Sequence, residues 1–160
     1  MYFYLKNALS LNFLFLLFSC AGMMRQPLPI EKRTSDYNID SAKKKLEIYQ
    51  AVKFWLPTSL NSHNQLIQAE DKDSGSLAGT AYIPCTELPG SSMAAQSIEF
   101  QYKAVASDKR LKLTLYNQRI YVPEDKYASK EDNIFNDDSQ VKGVKTCLDR
   151  IVASLGDSIK

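Results

Sequence analysis

The sequence predicts an α+β fold: an antiparallel sheet of about four to five strands, built from two hairpins, with two helices packed on one face. Three observations lead there. Two stretches repeat apolar residues at helical spacing, two regions between them alternate apolar and polar residues at the period of a strand, and each element has a single apolar side. Elements of this kind bury their apolar sides most simply against one another, which lays both helices on the same face of the sheet. The 160 residues, 44% apolar and 24% charged, suffice for one packed domain and leave no room for two large ones.

Residues 1–19 come before any of these elements. Lys6 is their one charge, and an apolar run of 11 residues follows over positions 8–18. A helix needs about 20 apolar residues to cross hydrocarbon, so this run has the length of a signal-peptide core. It closes on Leu17-Phe18-Ser19-Cys20-Ala21, which resembles the lipobox of bacterial lipoproteins through Leu17, Ser19 and Cys20. The resemblance implies a diacylglycerol thioether on Cys20, cleavage before it, and a further acyl chain on the new amino terminus. Several acyl chains hold a protein at a membrane where one holds it only marginally. Two other readings stay open: cleavage after Ala21, which releases a soluble protein, and an uncleaved anchor extended through Met23 and Met24. By the same lipoprotein rule, Ala21 in place of an aspartate favours the outer membrane.

Residues 20–38 carry Pro27, Pro29 and mixed charge without periodicity, and read as a flexible tether whose end contributes at most an edge strand. A single domain is expected over residues 39–156. Asp40 or Ser41 is the candidate N-cap of the first helix. Ile48, Ala51, Val52 and Trp55 follow at i, i+3, i+4 and i+7, and Pro57 is the expected stop. Trp55 is read as a core anchor. Residues 66–70 and 76–83 form the first hairpin, around a turn rich in aspartate and closed by Gly75. Leu77, Gly79, Ala81 and Ile83 share one face there, with Ala78, Thr80 and Tyr82 on the other. The second hairpin alternates more cleanly: Ile98, Phe100, Tyr102 and Ala104, then Leu111, Leu113 and Leu115 after the turn at residues 107–110. Residues 123–138 hold six acids and two lysines and read as an exposed loop. A last helix places Val141, Val144, Leu148, Ile151, Val152 and Leu155 on one stripe, with Asp137 and Gln140 at capping-box spacing and Gly156 as the expected stop.

Three clusters carry a likeness to a known family. They are Lys45-Leu46-Glu47-Ile48-Tyr49 with Ala51 and Trp55; Leu66-Ile67-Gln68, Asp71-Lys72-Asp73, Gly75 and Gly79; and Asp108-Lys109-Arg110 with the strand after it. In these the chain resembles, over about residues 40–120, an uncharacterised family of bacterial, often lipid-anchored proteins described as a domain of unknown function with a TBP-like fold. The resemblance implies a curved antiparallel sheet backed by two helices. It implies no reaction, since fold does not settle function.

Candidate chemistry is sparse. With Cys20 used for lipid, Cys85 and Cys147 remain, and they are read either as a disulfide, which an oxidising envelope favours, or as buried free thiols. His63 lies in an Asn61-Ser62-His63-Asn64 turn, and nothing in the sequence places it beside either thiol as a base. Asp71-Lys72-Asp73-Ser74-Gly75 begins like a calcium loop, but Gly75 stands where a third oxygen ligand is needed, so a hairpin turn is the reading. Net charge is +2, and the solvent side of the sheet mixes Glu99, Gln101, Lys103, Lys112, Thr114 and Tyr116, which argues against nucleic acid as a partner. No catalytic set, metal site or cofactor is expected. The expectation is a non-enzymatic, lipid-anchored cell-envelope protein, held to the membrane by its N-terminal lipid and contacting a protein, glycan or lipid partner. The alternatives are an envelope hydrolase and a carrier of a small apolar ligand.

Overall fold

A computed structural model describes residues 29–88, 96–121 and 138–160. The leader, Cys20, most of the tether and nearly all of the acidic segment lie outside the described residues. A short 3-10 turn, Ile30–Arg33, leads into β1 (Ser35–Asp40), α1 (Lys45–Ser59), β2 (Ile67–Asp71), β3 (Ser76–Pro84), β4 (Ser97–Ser107), β5 (Arg110–Tyr121) and α2 (Asp138–Ser158). The five strands form one antiparallel sheet in the order β1-β5-β4-β3-β2.

The end of the tether supplies the edge strand that the sequence allowed. Ser35 to Asn38, expected in the tether, pair with β5 from Ser35 opposite Leu115 to Asn38 opposite Lys112. Tyr37 and Ile39 are the only apolar residues of the inward face of β1, too few to register as an alternation; pairing with β5, rather than local pattern, makes this a strand.

Inner-face residues Leu77, Ala81, Ile83, Ile98, Phe100, Tyr102, Ala104, Leu111, Leu113 and Leu115 are all buried, as the alternation predicts. Helix α1 covers them with Ile48, Tyr49, Val52, Trp55 and Leu56, and α2 with Val144, Cys147, Leu148 and Leu155. Trp55 is a core anchor whose Nε1 donates to Ser154 Oγ at 3.2 Å, tying the two helices together. Gly79 is required by a close approach: a Cβ there would stand 1.9 Å from the carbonyl oxygen of Leu66, the same oxygen that accepts from Tyr102 Oη at 3.0 Å. Neither helix is long and apolar enough to cross a membrane.

Three helix boundaries differ from expectation. Neither Asp40 nor Ser41 is the N-cap of α1; Lys44 holds that position, and its N–H is accepted by Glu47 at 2.9 Å. The oxygen that satisfies the next amide comes from the β4–β5 turn, where Asp108 Oδ1 accepts from Lys45 N–H at 2.9 Å. Pro57 does not stop α1 but lies inside it, on the exposed side of the last turn. That position costs a single intrahelical donor, and Thr58 Oγ1 donates to the carbonyl of Trp55 at 2.8 Å nearby. Gly156 does not stop α2 either. It is buried within α2 facing β1, where an added Cβ would make an ordinary contact with Ile39 Cγ2 at 3.6 Å. Carbonyls beyond it are satisfied from the β1–α1 link: Lys43 Nζ donates to the carbonyl of Ser158 at 3.2 Å, and Ser41 Oγ donates to that of Ile159.

Candidate functional site

Both α-helices lie on one side of the sheet, and among the described residues neither covers the other, open side. Its shape is set by an irregularity in β5. Glu99 pairs with Arg119 but Gln101 pairs with Tyr116, so β5 has one more residue than β4 across this interval. Asn117 takes the extra place in the left-handed region, φ 52°, which asparagine tolerates better than most side chains. The bulge resets the alternation. Gln118 turns inward, 2% exposed, with Nε2 donating to Ser35 Oγ and to the carbonyl of Leu115, both at 3.0 Å. Asn117 and Arg119 are left on the open side.

Two rows of side chains cross that side. Tyr82, Glu99 and Arg119 lie opposite one another on β3, β4 and β5, and Thr80 and Gln101 form the neighbouring row. Glu99 Oε2 accepts from Arg119 Nε at 2.8 Å, and the Glu99 side chain is only 14% exposed. Asn117 Nδ2 donates to Gln101 Oε1 at 2.8 Å. Thr80, Glu99, Gln101, Asn117 and Arg119, together with Arg33, line a depression of about 320 Å³. A second, of about 200 Å³, adjoins it toward β2 and shares Thr80, Glu99 and Gln101, adding Gln68, Tyr82 and His63. Together they make an open polar trough over the middle of the sheet.

His63 belongs to this trough. An isolated bridge between Asn61 and Tyr82, with N–H···O distances of 2.8 and 3.2 Å, carries the 61–64 turn over the end of β3. The imidazole stacks on the Tyr82 ring, centroids 4.3 Å apart and planes 17° from parallel.

The cysteines lie elsewhere. Cys85, just after β3, and Cys147, in α2, are buried and joined by a disulfide of 2.00 Å. Neither sulfur is a thiol that His63 can activate. Glu87 sits beside this bond, Oε2 2.7 Å from Cys147 Sγ, and its other oxygen pairs with Arg150, which first among its neighbours holds the carboxyl below its ordinary range. Cys85, Glu87 and Cys147 are close enough together to suggest a metal site, but sulfurs spent on each other are not ligands and the carboxylate already has Arg150. Gly143 admits this arrangement, since a Cβ there would stand 2.6 Å from the Glu87 carbonyl. In the β2–β3 turn, Asp71 Oδ1 accepts from the N–H groups of Asp73 at 2.9 Å and Ser74 at 3.1 Å, and Ser74 leads the hydrogen bonds that hold this carboxyl below its usual range. The oxygen closes a turn.

The sequence signature of the family described as "Domain of unknown function (DUF4468) with TBP-like fold" matches residues 34–121, the whole of the sheet and the first helix. The chain belongs to the DUF4468 family. A DUF4468 family protein from Bacteroides ovatus ATCC 8483 has a similar crystal structure, with a TM-score of 0.56, 14% identity, and 81% of this chain and 90% of that one covered. A TBP-like protein from Parabacteroides distasonis ATCC 8503 gives a TM-score of 0.55 at 12% identity, covering 79% of this chain and 91% of that one. At such identities the likeness concerns the fold alone. No curated protein matches the sequence. The DUF4468 match begins one residue before β1 and ends with β5, so the bulge and both rows of the trough fall inside it.

The alternation puts Glu99 and Gln101 on the solvent side and Thr80 and Tyr82 on the face opposite Leu77, Ala81 and Ile83, but gives no place to Asn117 and Arg119. The signal was present. Leu111, Leu113 and Leu115 step by two, and the next apolar inward residue, Ile120, falls out of phase with them, which is the mark of one inserted residue.

Proposed function

We propose that the chain is a non-enzymatic binding module, held at the bacterial cell envelope by lipid on Cys20, that engages its partner through the open face of the sheet. The observation that supports this most is the division of the sheet: one face is buried under both helices, while the other carries a polar trough whose bulge brings Asn117 and Arg119 beside Gln101 and Glu99. A bulge forgoes regular pairing, and bulges are concentrated where a side chain must be re-aimed. The trough's one carboxylate is tied to Arg119, an arrangement suited to recognition by fixed polar groups. The lipobox-like Leu17-Phe18-Ser19-Cys20 supports the anchor, and Ala21 after the cysteine supports the outer membrane.

The test is metabolic labelling with a fatty-acid probe in a bacterial host with two membranes, comparing the full chain with Cys20→Ala. Label on the native chain and its loss on substitution is the expected result, with the labelled chain in the outer-membrane fraction. An unlabelled native chain recovered in the soluble fraction would overturn the anchor.

A further inference from the structure

We propose that the outer face of α1 rests on an anionic phospholipid surface, with Phe54 and Leu46 entering the boundary between headgroups and acyl chains. This rests on the reading of Cys20 as lipid-anchored and goes beyond it by naming the face turned to the bilayer. Among the described residues three large apolar side chains stand in solvent: Phe54, 75% exposed, Ile30 at 59% and Leu46 at 47%. None of them is on a strand. Leu46, Gln50 and Phe54 follow one another at i, i+4 and i+8, an uncharged strip about 12 Å long on the exposed side of α1. The core takes Ile48, Tyr49, Val52, Trp55 and Leu56 from the other side of the helix and leaves this strip outside.

Charge favours a lipid surface as the occupant. Within residues 43–59 and 138–160, Lys43, Lys44, Lys45 and Lys142 make no ion pair among the described residues. Glu47 is the single acid there in the same state, since Asp138, Asp149 and Asp157 are each paired with a lysine. The helix layer therefore carries surplus positive charge, and Lys44, two residues before Leu46, is exposed. Lysines beside an apolar strip suit an anionic bilayer: the ammonium groups meet phosphates while the stems lie along the apolar boundary.

The position of the anchor points the same way. Pro29, where the described chain begins, lies nine positions after Cys20, so the link between them reaches at most about 30 Å, the diameter of a small domain. It joins the domain beside the helices, where Lys32 Nζ pairs with Asp138 at the start of α2 at 3.1 Å. Lipid on Cys20 then holds the helix layer near the bilayer at a high effective concentration, so a contact of two apolar side chains and a few lysines suffices. With α1 down, the open face of the sheet is turned away from the membrane.

The test uses the full chain as a two-membrane host matures it, mixed with vesicles of phosphatidylethanolamine and phosphatidylglycerol that contain a nitroxide-bearing phospholipid. A genetically encoded fluorescent amino acid stands at position 50, in the α1 strip, or at position 103, exposed on the other face of the sheet. Quenching is expected at position 50 and not at position 103, and replacing phosphatidylglycerol by phosphatidylcholine is expected to weaken it. Combining Phe54→Ser with Leu46→Ser is expected to reduce it roughly threefold, with unchanged circular dichroism and melting temperature showing that the variant remains folded. Quenching at neither position, equally at both, or at position 50 but unaffected by the double variant would overturn the proposal. Capture of a protein by a photo-crosslinker at position 50 in intact cells, with no quenching by lipid, would also overturn it and give the strip to a protein. Fatty-acid labelling keeps the two readings apart. A labelled chain without quenching would discard the docking face and keep the anchor; an unlabelled chain that is quenched at position 50 would discard the anchor and keep the face.

Discussion

Asp108, in the turn between β4 and β5, accepts the backbone N–H of Lys45 at 2.9 Å and so caps helix α1 from a part of the chain more than sixty residues away. Reciprocal backbone bonds fix the same junction, Ser41 N–H to the carbonyl of Lys109 at 2.9 Å and Lys109 N–H to that of Lys43 at 3.1 Å. The side chain supplies an acceptor, and its negative charge faces the positive end of the helix dipole. Asp108→Ala is therefore expected to lower stability by about 1 kcal/mol, with Asp108→Asn losing less. Urea denaturation of the two variants measures this; equal stability of Asp108→Ala and the native chain would refute the capping role.

The bulge gives a second prediction. Asn117 holds φ at 52°, a conformation that costs a residue with a Cβ roughly 1–2 kcal/mol and glycine nothing. Asn117→Ala and Asn117→Gly both remove the bond to Gln101, so their difference isolates the backbone term. The glycine variant is expected to be the more stable of the two by about 1 kcal/mol in chemical denaturation.

How far the fold was legible follows from such positions. The inner face of β3, β4 and β5 was plain because Leu77 to Ile83, Ile98 to Ala104 and Leu111 to Leu115 keep strict alternation against a buried layer. The α1 and α2 stripes were plain for the same reason. Boundaries were not. Pro57 and Gly156 carry breaker chemistry, but one sits where a single lost donor is tolerated and the other in a helix whose end is held by Lys43 and Ser41. The cap of α1 was hidden because its acceptor comes from Asp108, a contact that only tertiary structure creates. Half of the trough was legible as solvent-facing residues. The rest waited on the register change at Asn117 and on the bridge that lays His63 over Tyr82.

Closing the Cys85–Cys147 bond across a sequence separation of 62 residues restricts the unfolded chain and is expected to contribute about 4 kcal/mol. The double variant Cys85→Ala/Cys147→Ala should lose most of that in denaturation midpoint. Thiol titration of the unfolded native chain, before and after reductant, provides the check: if Cys85 and Cys147 react before reduction, no bond joins them.

Alkaline pH should weaken the fold through its buried phenols. Burial raises Tyr102 from 10.0 to about 12, and burial followed by the Asp149 hydrogen bond raises Tyr37 equally far. A folded-state pKa above the unfolded one means stabilisation that is complete below pH 10 and lost as pH climbs toward 12. Phenolate absorbance should show these groups ionising late, with Tyr102→Phe flattening the alkaline decline in stability. Ionisation of every tyrosine near pH 10 in the folded protein would contradict this.

The Cys85–Cys147 bond also closes a ring around β4 and β5, the strands that present Glu99, Gln101, Asn117 and Arg119. A protease nick anywhere between the two cysteines would leave both pieces fastened together, and a gel would show the cut only after reduction. That ring lets the sheet's outward face outlast breakage of its own backbone.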